Sequence, residues 1–365
     1  MASTTATIQE PGGHIVTATV SVEDALRPGD LVREDAAGHL QRVFRHSSGD
    51  WPAPETDGLR FLDGELWTRL GRRAELLQGT RRFFAEAGFL EVETPRVVDS
   101  VGTEVHIDPT RVIQRHQAGT APTERFLIPS PEHHMKRLLA AGAPPIFSLG
   151  PVWRDGEAGA RHRPEFTLLE WYRPWATLEH LFEDCESWLR ALHPEPHLDY
   201  QGHRLRWSSP WPRHSFLDLL RERADVYEPE RLTPDEQLVA FVEHVEASLG
   251  RDTPEFVIDY PVAFASLAQR QSDRPELAER FELYAAGLEL ANAFGELTDA
   301  SEQRARCEQD NRERRDAQRE ELPLDETFLR ALEDGLAPSA GIAVGMDRVV
   351  MLLTNAATID EVRAF

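Results

Sequence analysis

The sequence predicts an α+β protein, an antiparallel sheet flanked by helices and preceded by a small β-rich segment. Three observations carry this. Phe147–Arg154 and Phe166–Tyr172 are apolar runs of strand length joined by a polar, arginine-rich loop, the pattern of a hairpin. Between Gly88 and Tyr172 strand-like runs alternate with helical ones. Near the C-terminus a run of small residues, Ser339–Gly345, passes into an apolar helix bearing Arg348.

Taken in chain order, residues 1–60 come first. His14–Val20, Asp30–Arg33 and Leu40–Phe44 alternate like short strands, with Pro28-Gly-Asp30 as a turn signal and Trp51-Pro-Ala-Pro-Glu55 as a linker. These predict a small module over 1–60 and a main domain over 61–365. An amphipathic helix with Leu66, Leu70, Ala74, Leu77 and Phe84 on one stripe stops at Gly88. Thr177–Leu192 reads as a capped amphipathic helix with Cys185 on its apolar stripe. A helical insertion is expected over about 205–250, with Phe216, Leu219, Leu220, Leu238, Phe241 and Val242 as its apolar face. Strands resume at Phe256–Pro261 and Arg280–Ala285, and the charged run Ser301–Glu321 reads as a solvated helix. With no CxxC, Cys185 is expected as a buried thiol and Cys307 as a surface one.

Charge narrows the partners. The 365 residues carry a formal charge of −23 and no basic tract with interleaved aromatics, which disfavours a tRNA partner, because nucleic-acid affinity rests on neutralising phosphates. Lys136 is the single lysine among 40 basic residues, and the sequence assigns it no chemistry. No membrane-length apolar run or signal-peptide core appears, so a cytoplasmic protein is expected.

The hairpin carries chemistry. Arg154 leaves its first strand as a forked cation for phosphate or carboxylate, and Phe166 opens the second with a flat face for stacking. With Phe89-Leu-Glu-Val-Glu-Thr94-Pro95 upstream and Gly341-Ile-Ala343-Val-Gly345-Met-Asp347-Arg348 downstream, the three segments in this order resemble motifs 1, 2 and 3 of the class II aminoacyl-tRNA synthetases. Ser130-Pro-Glu132-His-His-Met-Lys-Arg-Leu138 and Gly287-Leu-Glu289-Leu-Ala-Asn292-Ala-Phe-Gly-Glu296 resemble the substrate segments of lysyl-tRNA synthetases. They are closer still to the elongation factor P lysine ligases, which resemble the synthetase catalytic domain without its tRNA-reading part. The resemblance covers roughly residues 62–365.

That resemblance implies ATP and Mg2+ as cofactors, elongation factor P as acceptor, a lysine-type amino acid, expected to be (R)-β-lysine, as substrate, and a homodimer. Arg154 and Arg348 would be catalytic. Arg154, Asp155, Gly156, Glu157, Arg161, His162, Arg163, Phe166, Glu289, Leu290, Gly345 and Arg348 would bind the nucleotide, with Phe166 and Arg348 around the adenine. Glu282 and Glu289 would hold magnesium. A substrate with two ammonium groups needs acids at both ends, which Glu132 and Glu296 supply. Ser130, Pro131, Glu170, Tyr172, Asn292 and Ala343 would complete its pocket.

The chain departs from the pattern in places. Motif 2 has Arg154-Asp-Gly156 where lysyl-tRNA synthetases have Arg-Asn-Glu, with Glu157 one place later; Arg163 replaces an asparagine, and Ala293 a glycine whose loss would narrow the pocket. Ala343 agrees with the ligases, where the synthetases have glycine. Two rival readings stay open, an α-lysine-activating enzyme charging tRNA or a small molecule, and a degenerate binding protein without turnover.

Overall fold

The computed structural model describes residues 3–9, 15–21, 30–34, 40–44, 64–115 and 121–365. Contacts divide the chain into two units, Met1–Glu75 with Asp360–Phe365, and Leu76–Ile359. In the first, β1 (Ser3–Gln9) pairs antiparallel with β2 (Ile15–Ser21), and β3 (Leu31–Glu34) with β4 (Leu40–Phe44). Three of these strands follow the alternation in the sequence, whereas β1 was not anticipated. The expected linker at 51–55 and the turn at 28–29 lie outside the described residues. Helix α1 (Gly64–Glu86) runs through the division.

The second unit is built on an eight-stranded sheet. Its strands are β5 (Leu90–Glu91), β9 (Ile146–Trp153), β10 (Glu165–Pro174), β13 (Arg213–Ser215), β14 (Glu255–Ile258), β15 (Arg280–Ala285), β16 (Leu288–Gly295) and β17 (Ser339–Gly345). They lie in the order β13-β14-β15-β16-β17-β10-β9-β5, antiparallel except for the outermost pairs β13–β14 and β5–β9. Outside it, β6 (Val97–Val98), β7 (Arg111–Gln114) and β8 (Thr123–Leu127) form a three-stranded sheet, and β11 (His197–Tyr200) pairs with β12 (His203–Arg206). The helices are α2 (Glu132–Ala140), α3 (Leu178–Leu192), α4 (Phe216–Arg223), α5 (Pro234–Ala240), α6 (Ala300–Asp316), α7 (Glu326–Asp334) and α8 (Met346–Leu353).

Strand alternation separates the two faces of this sheet. On one, Trp171 packs with Phe84 of α1 and Trp188 of α3, ring centroids 4.9 and 5.9 Å away, while Phe182 stacks on Phe281 at 4.3 Å. The other face, carrying Phe166, Leu168, Glu170 and Tyr172 of β10, holds the candidate site. Helix α1 ends before Gly88, whose φ of 82° is the left-handed turn expected there. On its stripe Ala74 is exposed and Leu76 takes the inward place.

Two apolar expectations for the insertion are corrected. Leu238 and Val242 are exposed, and the buried face runs instead through Phe216, Leu219, Leu220, Phe241, Val245 and Leu249 against Tyr260 and Tyr284. Gln237 points inward in place of Leu238, its side-chain amide donating to the Pro229 carbonyl at 2.8 Å. The charged run is a helix, α6, but it is not wholly solvated. Gln303, Cys307, Asn311 and Arg314 form a buried polar face, so Cys307 is not a surface thiol.

Phe84 is fully buried among five aromatic rings. Phe84→Ala should therefore cost about 3–5 kcal/mol of stability, read from the guanidinium unfolding midpoint; a loss below about 1 kcal/mol would mean that the cluster collapses around the hole.

Candidate active site

Strand register assembles the site from residues far apart in sequence. Ser148, Glu170, Ala343, Asn292 and Glu282 are successive Cα partners across five strands, so their side chains share one face. Above this row lies a cavity of about 540 Å³, within the size range of small-molecule sites. At the start of β16 a bulge inserts Leu290 between the residues that pair with Leu283 and Tyr284, and both Glu289 and Leu290 reach the wall.

One end of the cavity is cationic. Arg154, Arg161, His162, Arg163 and Arg348 line it, together with Gly156, Glu157, Phe166 and Gly345. Arg348 is fixed from two sides: it donates to the Glu289 carbonyl at 2.7 Å, and its Nη2 stands 2.5 Å from His162 Nε2. Burial and the adjacent Arg348 hold His162 below its ordinary pKa, favouring the neutral ring that can accept this bond. Helix α8 is tied to the hairpin because Asp347 Oδ2 accepts from the Thr167 N–H at 2.6 Å. Arg161 donates to the Gly287 carbonyl at 3.0 Å, and Arg154 lies 5.1 Å from the Phe166 ring centroid. That guanidinium already covers part of the aromatic surface expected to meet adenine.

The opposite end is acidic. Glu132 and Glu170 line the cavity, and Glu170 accepts from Ser130 Oγ at 2.7 Å and from the Tyr172 hydroxyl at 3.1 Å. Burial, with the Glu132 carboxylate close by, pushes Glu170 up to about 8 despite these donors. Behind them, Lys136 is wholly buried with Nζ 2.5 Å from both Glu132 Oε1 and Glu296 Oε2. Burial opposes the charged lysine, but the two carboxylates outweigh it and raise its pKa. One ammonium cannot fully compensate two acids, and burial accordingly raises Glu296 against the pull of Lys136.

Five expected site residues are not on the cavity wall. Pro131 caps α2, and Asp155 is exposed, accepting from the Gly156 N–H at 3.0 Å. Tyr172 and Glu296 sit just behind the wall, over Gly341, where an added Cβ would fall 2.2 Å from the Tyr172 ring and 2.3 Å from Glu296 Oε1. Glu282 is engaged elsewhere: its Oε2 accepts from Tyr260 and Tyr284 at 2.6 and 2.7 Å, and its Oε1 meets Arg280 at 2.5 Å. Of the expected metal pair only Glu289 faces the cavity, which still suits magnesium, an ion held through one or two carboxylates plus phosphate oxygens. Ala293 is corrected too. It pairs with Ile342 on the buried face, so it does not narrow the cavity, whereas Ala343 lines it.

Sequence reasoning missed several wall residues: Ser100, Val101, Gly102 and Glu104 after motif 1, His133 and His134 on α2, Ser266, and Asp347. Asp347 stood beside Arg348 in motif 3 and could have been found there. The 100–104 loop is irregular and gave no periodic signal.

Residues 58–365 match the family model for class II tRNA synthetases (D, K and N). A protein named elongation factor P–(R)-β-lysine ligase from Proteus mirabilis (strain HI4320) is 40% identical over 303 residues, 80% of this chain and 93% of the relative. Proteins of the same name from Klebsiella pneumoniae (strain 342) and Yersinia pestis (strain Pestoides F) are 41% and 39% identical, over 306 and 303 residues and the same shares of both chains. Motifs, sheet order and these matches agree: the chain belongs to the class II tRNA synthetase family (D, K and N).

Proposed function

We propose that the chain activates a lysine-type amino acid, (R)-β-lysine, as its adenylate and transfers it to a lysine side chain of elongation factor P. The observation that carries this reading is the polarity of one cavity, with Arg154, Arg161 and Arg348 at one end and Glu132 and Glu170 at the other, backed by Glu296. In the first step a carboxylate oxygen of the amino acid attacks the α-phosphorus of ATP, and pyrophosphate leaves. Both reacting groups, the carboxylate and the α-phosphate, are anionic, so Arg154 is suited to bridge them and Arg348 to hold the nucleotide. Glu289 is the residue to hold magnesium, which would supply further charge screening among the phosphates. In the second step the acceptor amine attacks the acyl carbon, AMP leaves, and the amine proton passes to solvent.

The net charge of −23 speaks against tRNA as acceptor, and the relatives' printed name supports elongation factor P. A cytoplasmic homodimer is part of the same proposal. The degenerate reading loses ground because Arg154, Glu289 and Arg348 all stand on the cavity wall.

Mass spectrometry of elongation factor P incubated with enzyme, ATP and (R)-β-lysine should find one β-lysyl adduct. No adduct with any lysine isomer, or efficient charging of total tRNA, would reject the reading.

Glu170 ties substrate binding to pH. Its pKa of about 8 in the free protein means that a substrate ammonium group favouring the carboxylate must expel a proton below pH 8. Affinity for the amino acid should therefore rise with pH, by up to about tenfold per unit, and level off near 8. Glu170→Gln should flatten this profile between pH 6 and 8; an identical slope in the variant would place the titrating group elsewhere.

Ala343 lies between Glu170 and Asn292 in the transverse row and lines the cavity, so on this reading its methyl would limit the space for substrate. Ala343→Gly should shift the ratio of ATP–pyrophosphate exchange rates toward α-lysine by roughly 10- to 200-fold, the range of a single-methyl misfit. An unchanged ratio in a variant that binds ATP normally would return α-lysine to equal standing.

A further inference from the structure

We propose that Lys136 is a positioning residue, a built-in counter-ion that takes one oxygen of Glu132 and one of Glu296 and so leaves the other oxygens for the ammonium groups of the substrate. The inference rests on the lysine-type reading above and concerns a residue outside the reacting groups.

The geometry around Glu296 supports it. Lys136 Nζ engages Glu132 Oε1 and Glu296 Oε2 at equal distances of 2.5 Å, linking α2 to the end of β16. Glu296 is 1% exposed, and its Oε1, lying over Gly341, receives no hydrogen bond from any described residue. A buried acceptor left without a donor is costly, so this oxygen calls for a cationic ligand group.

Residue choice agrees. Every other basic residue in the chain is arginine, yet this fully enclosed position keeps lysine, whose compact ammonium fits between two carboxylates where a planar guanidinium fork would not. Charge agrees as well. With the substrate bound and all three acids ionised, they and Lys136 would sum to −2, which two substrate ammonium groups would offset. Without Lys136 the acids would repel more strongly, and protonation would be favoured further.

Because the chain has one lysine, labelling with [13Cε]lysine gives a single side-chain resonance in the intact protein. ATP with (R)-β-lysine or α-lysine should shift it, whereas ATP alone, or ATP with norleucine, which lacks the distal ammonium, should leave it in place. If calorimetry shows a lysine-type amino acid binding while the resonance stays still, this inference fails and the proposed function survives. Should no lysine isomer bind, both fall. Lys136→Met offers a second reading: KM for the amino acid should rise by at least about tenfold, with KM for ATP and kcat within about twofold of wild type. Equal losses for ATP and amino acid would mark a purely structural lysine.

Discussion

Charge buried without water must be balanced by charge or by hydrogen bonds, and that constraint shapes this molecule at three places. Glu132, Glu170 and Glu296 converge on one end of the cavity, where Lys136, Ser130 and Tyr172 compensate them incompletely. Glu282 sits in the same transverse row but is saturated by two phenols and Arg280. The difference sorts the acids by role. A saturated carboxylate supports the sheet and its neighbours; an under-compensated one is prepared to accept a cation. Since the row passes through Glu170, Ala343, Asn292 and Glu282, a one-residue slip of any strand would turn its member onto the aromatic core.

The third place is Arg314, 2% exposed on a helix that looks hydrophilic throughout. It donates to the carbonyls of Glu104, Ile107 and Glu320 at 2.9 to 3.0 Å and meets Asp108 at 3.0 Å. Thr103 adds a bond to Asp310 of the same helix. The 100–108 loop, which supplies several cavity residues, is thus held by a polar face of α6. The Asp155 N–H in turn donates to the Asp108 carbonyl at 2.7 Å, connecting that loop to the turn after Arg154. One buried guanidinium therefore supports two loops around the cationic end.

Legibility followed periodicity. Strands β10, β15, β16 and β17 and helix α3 carry regular apolar patterns or lie in recognisable motifs; of these, β10, β16 and β17 reach the cavity wall, and most of their wall residues were readable, Leu168 and Phe294 excepted. The inward face of α6 is made of Gln303, Cys307, Asn311 and Arg314, with correct helical spacing but no hydrophobic contrast, so any reading based on apolar stripes treats it as solvent-facing. Lys136 failed to register for a related reason. Its meaning comes from Glu296, 160 residues away, and an isolated lysine one turn after a glutamate is ordinarily a surface pair.

Which motif departures matter is decided by strand alternation. By the resemblance, Ala293 stands where synthetases and ligases alike have glycine, and Ala343 where the synthetases alone do. In the sheet Ala293 pairs with Ile342 and faces the core, while Ala343 pairs with Glu170 and Asn292 and faces the cavity. A methyl on the core side alters packing against the aromatic layer; a methyl on the cavity side removes cavity volume. Gly341, two residues before Ala343 on the same face, shows how little volume is free there, since even a Cβ would collide with Tyr172 and Glu296. On the proposed reading, selectivity between lysine isomers, which differ in where one amine sits, would be most sensitive along 341–343, between Glu170 and Glu296.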